Sequence, residues 1–327
     1  MLDLVWLLTG LGALLVGGEW LVRGAVALAR QLGVPPLIIG LTVVAFGTST
    51  PELVVNLLAA WRGNSEVGFG NVVGSNVANI GLLLGLTAAY RTLSVQHAVI
   101  VREVPMMLLG TLAVLVLAED RLLTGRAVDR FDRDDGLILL LLFGVFLYYL
   151  LGDALRARKT DASDLSAGLP GPPAENAGGG GRAGLWVLGG MVLLVVGGQL
   201  TVTGATGLAR AAGVPEVVVA LTLVAVGTSL PELATSLIAA RRGQTDVAIA
   251  NIVGSNIYNL LFVFGLTATV RPISLPAGGV VDLLVMAGFS VMLMAMAMTG
   301  RSIRRAEAAV LLACYVGYVV WLGRVAL

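Results

Sequence analysis

Two glutamates stand inside long apolar stretches of the sequence, where an ionisable side chain is costly. Glu52 lies near the middle of one stretch and Glu232 near the middle of another. An acid at the centre of a membrane-spanning helix costs about 2.5–3.5 kcal/mol on insertion scales, so two of them indicate a functional requirement. Thr48 and Ser49 precede the first acid at helical spacing and share its side of a helix. The same spacing recurs before the second acid at Thr228 and Ser229.

Each acid directly follows a proline, Pro51 in the first stretch and Pro231 in the second. Proline has no backbone N–H, so inside a helix it breaks the hydrogen bond to the carbonyl four residues earlier. Backbone carbonyls over 45–47 and 225–227 are then expected to turn towards a ligand. Irregular backbone of this kind is acceptable at membrane depth where it lines a polar cavity.

Asparagine and serine side chains form a polar stripe on the apolar stretch that follows each acid. The stripe occupies positions i, i+4 and i+8: Asn71, Ser75 and Asn79 in the first copy, and Asn251, Ser255 and Asn259 in the second. With the carboxylates, hydroxyls and carbonyls, these side chains offer oxygen atoms and neither histidine nor cysteine. Hard cations prefer oxygen ligands, and Mg²⁺ keeps its waters and seldom occupies an all-protein cage. The pattern favours a Ca²⁺ or Na⁺ site.

The composition of the chain is that of a membrane protein. Of 327 residues, 57% are hydrophobic and 13% are charged, against about 25% charged in soluble domains. The apolar runs are long enough for membrane-spanning helices and lack the alternation of barrel strands. They lie at 4–28, 34–60, 66–89, 98–118, 136–153, 184–209, 214–240, 246–269, 278–299 and 307–325. A net charge of +1 predicts no nucleic-acid partner, and no obligate protein partner is expected besides the lipid bilayer.

The sequence contains an internal repeat, because a shift of 180 residues aligns its two halves without a gap. Gly-Thr-Ser-Thr-Pro-Glu-Leu at 47–53 falls on Gly-Thr-Ser-Leu-Pro-Glu-Leu at 227–233, and the polar stripes coincide as well. Each copy holds five apolar stretches, an odd number, so the second copy must enter the membrane from the opposite side. We therefore predict an all-α integral membrane protein of ten transmembrane helices arranged as two inverted five-helix repeats.

The repeats also define the predicted domains. The first repeat covers 1–155 with its motif at 45–79, and the second covers 184–327 with its motif at 225–259. A charged, proline- and glycine-rich linker covers 156–183. Loops on the linker side hold twelve basic residues against eight on the other side. The positive-inside rule then predicts a cytoplasmic linker and termini outside the cytoplasm.

The duplicated motif resembles that of a known family. Gly-Thr-Ser-x-Pro-Glu followed by Gly-Ser-Asn-x-x-Asn, present twice, looks like the α-repeats of the Ca²⁺/cation antiporter superfamily and most resembles its prokaryotic sodium/calcium exchangers. The resemblance covers nearly the whole chain. It implies location in a prokaryotic inner membrane, transport of Ca²⁺ and Na⁺, and no cofactor. The ion-binding positions that it implies are Glu52, Glu232, Thr48, Thr228, Ser49, Ser229, Ser75, Ser255, Asn79, Asn259, and the carbonyls of Ala45 and Ala225.

The resemblance further implies a mechanism of exchange. The two glutamates would neutralise one Ca²⁺ or bind Na⁺ at overlapping positions, so that the ions exchange rather than travel together. If three Na⁺ replace one Ca²⁺, one net charge crosses per cycle, worth about 2.3 kcal/mol per 100 mV. The first and sixth spans, with Gly17-Gly18 and Gly197-Gly198, are expected to slide against the other eight. Some family members have aspartate at the position of Asn259, so its amide argues against potassium coupling here.

Two other transport functions remain open at this stage. A proton-coupled calcium exchanger of the same superfamily differs only in the driving ion, and the serine-rich sodium positions argue against it. A cation channel would need a continuous pore, usually built from several subunits, rather than one central site. An enzyme is not expected, because no nucleophile is paired with a base: His97 lies at the start of the fourth span and Cys314 is isolated.

Two further charged groups have structural interpretations. Glu19 and Arg23 stand at i and i+4 in the first span, and the second repeat has uncharged Gln199 and Thr203 at the matching positions. A local ion pair is therefore predicted. The acidic run at 129–135 lacks the spacing of a calcium-binding loop and is predicted to be a solvated turn.

Overall fold

The computed structural model describes residues 2–119, 129–166, 180–212 and 227–325. Within these residues the chain is almost entirely helical, as the sequence predicts. The helices are α1 (Leu2–Leu32), α2 (Pro36–Thr48), α3 (Thr50–Arg62), α4 (Glu66–Tyr90), α5 (Val99–Leu117), α6 (Arg133–Ser166), α7 (Gly180–Ala211), α8 (Leu230–Arg241), α9 (Thr245–Val270), α10 (Gly279–Met298) and α11 (Arg305–Val325). Four two-residue strands lie between helices: β1 (Leu93–Ser94), β2 (Arg130–Phe131), β3 (Ile273–Ser274) and β4 (Ser302–Ile303).

Eight of the described helices are long and apolar enough to cross a membrane. The pair α2 and α3, which meet at a bend of 44°, would form a ninth span. The remaining predicted span, 214–240, is described only from residue 227 onwards, where it contains α8. Its first half, with the predicted ligand Ala225, lies outside the described residues. The count of ten spans therefore remains a prediction.

The helices on either side of the predicted linker are longer than their apolar stretches. α6 continues to Ser166 and α7 begins at Gly180, so both ends of the predicted linker, 156–183, are helical. A helix continues readily past its apolar segment, because each added residue gains a hydrogen bond once the helix exists. The rest of the predicted linker, 167–179, lies outside the described residues.

The two helices that carry the polar stripes form the centre of the bundle. In α4 and α9, 78% and 94% of the most apolar window is buried, against 11% in α11. The outer helices expose large apolar side chains, such as Leu141 on α6 and Leu185 on α7, which suits contact with lipid. The predicted site therefore lies inside the protein rather than on its lipid-facing surface.

Contacts between the two halves come in reciprocal pairs. The strand after each central helix pairs with a strand of the other half, β1 with β4 and β3 with β2. The Arg91 guanidinium donates to the Ala240 carbonyl at 3.2 Å, and the Arg271 guanidinium donates to the Ala60 carbonyl at 3.4 Å. The 180-residue shift of the sequence repeat relates β1 to β3, Arg91 to Arg271 and Ala60 to Ala240, whereas β2 and β4 are 172 residues apart. This reciprocity is what two inverted repeats predict.

Replacing Arg271 with glutamine is expected to destabilise the protein by about 0.5–1.5 kcal/mol. The change removes a donor to the last carbonyls of α3 and a positive charge that favours the C-terminal end of its dipole. The melting temperature of the purified protein in detergent measures the effect. Arg62→Gln is the control, because Arg62 is exposed in the last turn of the same helix. An equal fall in both variants would contradict a specific role for the Arg271 bonds.

Glycines spaced seven residues apart join α1 to α7. Gly10 and Gly17 on α1 face Gly197 and Gly190 on α7, while Gly24 lies against Val187 and Gly204 lies against Leu7. A methyl group built on Gly17 would lie 2.9 Å from the backbone nitrogen of Leu194, and one built on Gly190 would lie 2.6 Å from that of Leu21. There is no room for a side chain, so the two backbones pack directly against each other.

Each of the two predicted glycine pairs has one residue in the α1–α7 contact and one residue that faces another helix. Gly17 and Gly197 belong to the α1–α7 contact, whereas Gly18 and Gly198 face α8. A methyl group on Gly198 would lie 3.6 Å from the Pro231 ring, which is an ordinary contact distance. The surface between α7 and the bundle is thus less tightly packed at Gly198 than the surface between α1 and α7.

The ion pair predicted within the first span is confirmed. Arg23 contacts Glu19 at 2.9 Å. Arg242, just after α8, also donates to Glu19 through Nε at 2.9 Å. The second bond ties α1 to the loop between α8 and α9, which the helical spacing of the sequence does not predict.

Candidate cation site

The two acids lie where each half-helix begins. The chain leaves helical geometry at Ser49, with φ −85° and ψ 7°, and Pro51 lies in the first turn of α3. Ser229, with φ −89° and ψ 6°, precedes α8 in the same way. Proline fits the first turn because its missing N–H would have no helical partner there. Glu52 and Glu232 therefore occupy first turns, where the helix dipole stabilises negative charge.

In the first half, the carbonyls that the sequence predicts to face a ligand are only partly released. The Ala45 carbonyl accepts a bond from the Ser49 N–H at 3.0 Å and another from the Thr48 hydroxyl at 3.3 Å. Gly47 loses its helical donor, because Pro51 stands four residues later. A carbonyl oxygen has two lone pairs, so Ala45 has one for a cation when the Thr48 hydroxyl donates elsewhere.

Two π-helical segments interrupt the central helices next to the polar stripes. Asn79–Leu84 lies within α4, and Tyr258–Val263 lies within α9. Asn79 begins the first segment and Asn259 is the second residue of the other. Such wider turns are frequent at functional sites, because they change which side chains face a helix neighbour. The last residue of each polar stripe is therefore placed by a local departure from the α-helix.

Most of the predicted ligand residues are buried together. The buried members are Ala45, Thr48, Ser49, Glu52, Ser75, Asn79, Ser229, Glu232, Ser255 and Asn259. Thr228 is partly exposed. Ala225 lies outside the described residues, so its role as a ligand remains a prediction. The burial places the predicted ligands in one desolvated region, where a charge needs a compensating partner.

Hydrogen bonds join the two halves across this region. The Ser49 hydroxyl of the first half donates to Glu232 Oε1 at 3.0 Å. The Thr48 hydroxyl donates to Asn251 Oδ1 at 3.0 Å, and the Thr228 hydroxyl donates to Asn71 Oδ1 at 3.4 Å. Each half therefore orients groups of the other, and the site is shared between them.

A cluster of buried oxygens in this region has no hydrogen-bond partner among the described residues. It consists of Glu52 Oε1 and Oε2, Ser75 Oγ, Asn79 Oδ1, Ser229 Oγ, Glu232 Oε2 and Asn259 Oδ1. Buried polar atoms in proteins are nearly always satisfied, and each exception calls for an explanation such as an ion or water. Oxygen atoms from two acids, two hydroxyls and two amides are the ligand set that Ca²⁺ and Na⁺ prefer.

Several residues around the cluster were not among the predicted ligands. The Asn79 amide nitrogen donates to Asn256 Oδ1 at 3.0 Å, which leaves Asn79 Oδ1 facing no donor. Asn76 donates to the Asn256 carbonyl at 3.4 Å, so this pair links α4 to α9. Both are the asparagines of the repeated Gly-Ser-Asn motif, and that repetition is the sequence signal for them. Asn56 donates to the Glu52 carbonyl at 2.8 Å, and the repeat offers no signal for it because Ser236 is its counterpart.

Other groupings of acids do not compete with this site. Among the described residues, no group of three or more His, Cys, Asp or Glu side chains is placed to hold a metal ion. In the acidic run, the Asp135 carboxylate accepts from the Asp132 N–H at 2.7 Å, and Arg130 contacts Asp132 at 2.9 Å. The Asp135 carboxylate thus bonds to the backbone just before α6, and the Asp132 carboxylate bonds to the arginine of β2.

Known proteins match the chain over nearly its whole length. The family model described as sodium/calcium exchanger protein matches residues 2–152 and 183–324. The putative antiporter CaxA of Alkalimonas amylolytica is 37% identical over 320 residues, covering 96% of both chains. The sodium/calcium exchanger MaX1 of Methanosarcina acetivorans is 31% identical over 340 residues, again covering 96% of both chains.

Solved structures support the same relationship. The sodium-calcium exchanger NCX_Mj, soaked with 2.5 mM Na⁺ and 0.1 mM Ca²⁺, matches with a TM-score of 0.81 at 29% identity, covering 98% of both chains. The same exchanger soaked without either ion matches with a TM-score of 0.82 at 28% identity. The matched residues include the acids and polar stripes of both halves. The chain therefore belongs to the sodium/calcium exchanger protein family of the Ca²⁺/cation antiporter superfamily.

Proposed function

We propose that this protein is a secondary antiporter that exchanges Na⁺ for Ca²⁺ across the membrane. The observation that carries the proposal is the cluster of unpartnered buried oxygens around Glu52 and Glu232. Two formal negative charges balance one Ca²⁺, and the hydroxyl and amide oxygens complete a shell for a hard cation. The names of the related sodium/calcium exchangers support the choice of ions.

Exchange follows from the charge of the site. One Ca²⁺ uses both carboxylates, and Na⁺ ions at overlapping positions need the same two groups. Occupancy by both ions at once would leave uncompensated positive charge in a desolvated region, which is costly. The ions therefore replace one another instead of moving together.

Alternating access would come from the movement of α1 and α7 as one unit. Their backbones pack directly through the seven-residue glycine pattern, so they resist separation. At Gly198 an added methyl group would lie 3.6 Å from Pro231, so α7 can slide past α8 there without a backbone clash. We place the protein in a prokaryotic inner membrane with both termini outside the cytoplasm, on the basis of the arginine distribution.

A proton-coupled calcium exchanger is the second candidate. It would use the same acids and the same fold, and the relative named only as a putative antiporter is compatible with either driving ion. The buried hydroxyls of Ser75 and Ser229 favour Na⁺, because they offer uncharged oxygen ligands that proton transport does not require.

Flux in reconstituted vesicles separates these candidates. Purified protein in sodium-loaded vesicles is diluted into sodium-free buffer, and uptake of ⁴⁵Ca²⁺ is measured. Sodium-dependent uptake is the expected result. Uptake that ignores sodium and follows an imposed pH gradient would move the assignment to the proton-coupled exchanger. The absence of calcium flux under both gradients would contradict the proposal.

Membrane potential tests whether exchange carries charge. If three Na⁺ leave for each Ca²⁺ that enters, uptake removes one positive charge from the vesicle interior and is accelerated when the interior is positive. Valinomycin with high external K⁺ sets an interior-positive potential, worth about 2.3 kcal/mol per 100 mV for one charge. Faster initial ⁴⁵Ca²⁺ uptake than with equal K⁺ on both sides is expected, and identical rates would indicate electroneutral exchange.

A further inference from the structure

The polar contacts of Asn251 distinguish it from the residues assigned to the ion shell. Its side chain is buried on α9. Its amide nitrogen lies 3.3 Å from the Glu232 carbonyl and 2.9 Å from Ser236 Oγ. A carbonyl only accepts hydrogen bonds, so the nitrogen is fixed on that side and Oδ1 must face the other way. Asn251 Oδ1 therefore faces Thr48 as an acceptor.

The Thr48 hydroxyl has one proton and three oxygens within reach, of which Ser255 Oγ at 3.5 Å is the most distant and can itself donate. Asn251 Oδ1 lies at 3.0 Å and the Ala45 carbonyl at 3.3 Å. A hydroxyl that binds a cation must turn its lone pairs to the ion and its proton elsewhere. When the proton goes to Asn251, the lone pairs of Thr48 and the second lone pair of Ala45 are both available. When the proton goes to Ala45, that carbonyl is occupied.

We propose that Asn251 is a positioning residue that directs the Thr48 hydroxyl and thereby strengthens binding of Ca²⁺ at the site. This inference rests on the proposed function, because it assigns Thr48 and Ala45 to the ion shell. Asn251 acts through Thr48 and is not itself a ligand. Its two amide donations hold it in place before an ion arrives.

The matching residue of the first half is not held in this way. Asn71 Oδ1 accepts from the Thr228 hydroxyl at 3.4 Å, and Asn71 Nδ2 has no partner among the described residues. The counterpart of Ser236 is Asn56, which itself donates to the Glu52 carbonyl at 2.8 Å. The Glu52 carbonyl therefore already accepts from Asn56, and it is the group that would otherwise accept from the Asn71 amide nitrogen and hold that side chain in place. The Thr48 hydroxyl therefore faces an acceptor that two hydrogen bonds hold in place, whereas the Thr228 hydroxyl faces an acceptor that is not held in this way.

Substitution of Asn251 by leucine tests the inference, with Asn71→Leu as the matched control. In the ⁴⁵Ca²⁺ exchange assay, Asn251→Leu is expected to raise the KM for Ca²⁺ about tenfold with a smaller change in the maximal rate. Asn71→Leu is expected to raise the KM less. Asn251→Asp keeps an oxygen acceptor for Thr48 but loses both amide donations, so it is expected to raise the KM less than Asn251→Leu does. An equal rise in Asn251→Asp and Asn251→Leu would overturn the inference.

A double-variant comparison separates orientation of Thr48 from a general packing role. In a Thr48→Val background no hydroxyl remains to be directed, so adding Asn251→Leu is expected to raise the KM no further. Losses that simply add would overturn the inference. The rise in melting temperature caused by Ca²⁺ gives a second readout that needs no transport. If the unaltered protein binds Ca²⁺ but shows no flux, the proposed function fails while the binding comparison still decides the role of Asn251.

Discussion

Glu52→Gln is expected to abolish sodium-dependent calcium uptake, lowering it at least about 100-fold. Both carboxylate oxygens of Glu52 are buried without a partner among the described residues, so we expect an arriving cation to be their counter-charge. The amide keeps the shape of the side chain but leaves Ca²⁺ with one formal negative charge in a desolvated site. Removing one partner of a buried charge pair costs about 3–5 kcal/mol, and each 1.4 kcal/mol is a factor of ten in affinity.

Glu66→Gln is the control for this change. Glu66 is exposed in the first turn of α4, so its loss removes a charge of the same kind outside the site. Uptake close to that of the unaltered protein is expected for Glu66→Gln, and loss comparable to Glu52→Gln is expected for Glu232→Gln. Retention of half the uptake by Glu52→Gln would contradict the proposed role of the carboxylates.

Gly190→Ala is expected to cause a large loss of stability through the α1–α7 contact. The added methyl group would lie 2.6 Å from the Leu21 nitrogen and 2.8 Å from the Gly17 carbonyl oxygen. Both are backbone atoms, so the helices themselves must separate. Overpacking of this kind lowers the free energy of unfolding by about 1–3 kcal/mol, which corresponds to a melting temperature lower by roughly 2–12 °C.

Gly184→Ala is the matched control on the same helix. A methyl group there meets no atom within 4 Å, so no clash is expected. Alanine also favours helix over glycine by about 1 kcal/mol, and Gly184→Ala is therefore expected to hold or raise the melting temperature. Equal melting temperatures for the two variants would show that α1 and α7 separate without loss of stability.

Much of the fold can be predicted because the sequence contains the same pattern twice. Long apolar runs predict helices, and confirmed membership of the exchanger family agrees with the duplicated motif. Pro51 and Pro231 predict broken helices beside the acids, and the described chain leaves helical geometry at Ser49 and Ser229. The roles of the ligand residues remain predictions that the flux experiments test.

Other features cannot be predicted from periodicity. The π-helical segments at Asn79–Leu84 and Tyr258–Val263 leave no signature in the spacing of apolar residues. The Arg242 bond to Glu19 joins residues far apart in the sequence, so helical spacing within one span cannot find it. The asparagines that face Thr48 and Thr228 are held differently because Asn56 stands where the second half has Ser236. The repeat itself therefore does not predict this difference. Hydrogen-bond partners are set by tertiary packing, which a pattern within one element does not contain.

The sharing of the site between halves has a consequence for synthesis of the chain. Ser49 on the first half donates to Glu232, and Thr48 donates to Asn251, so these bonds need residues made about 200 codons later. At translation rates of about 5–20 residues per second, Glu52 emerges roughly 10–40 s before the second acid. For that interval the polar atoms of α2 and α3 are satisfied by water or the insertion machinery rather than by their final partners. The buried polar groups of the first half therefore reach their final partners only when the second half has been synthesised and inserted.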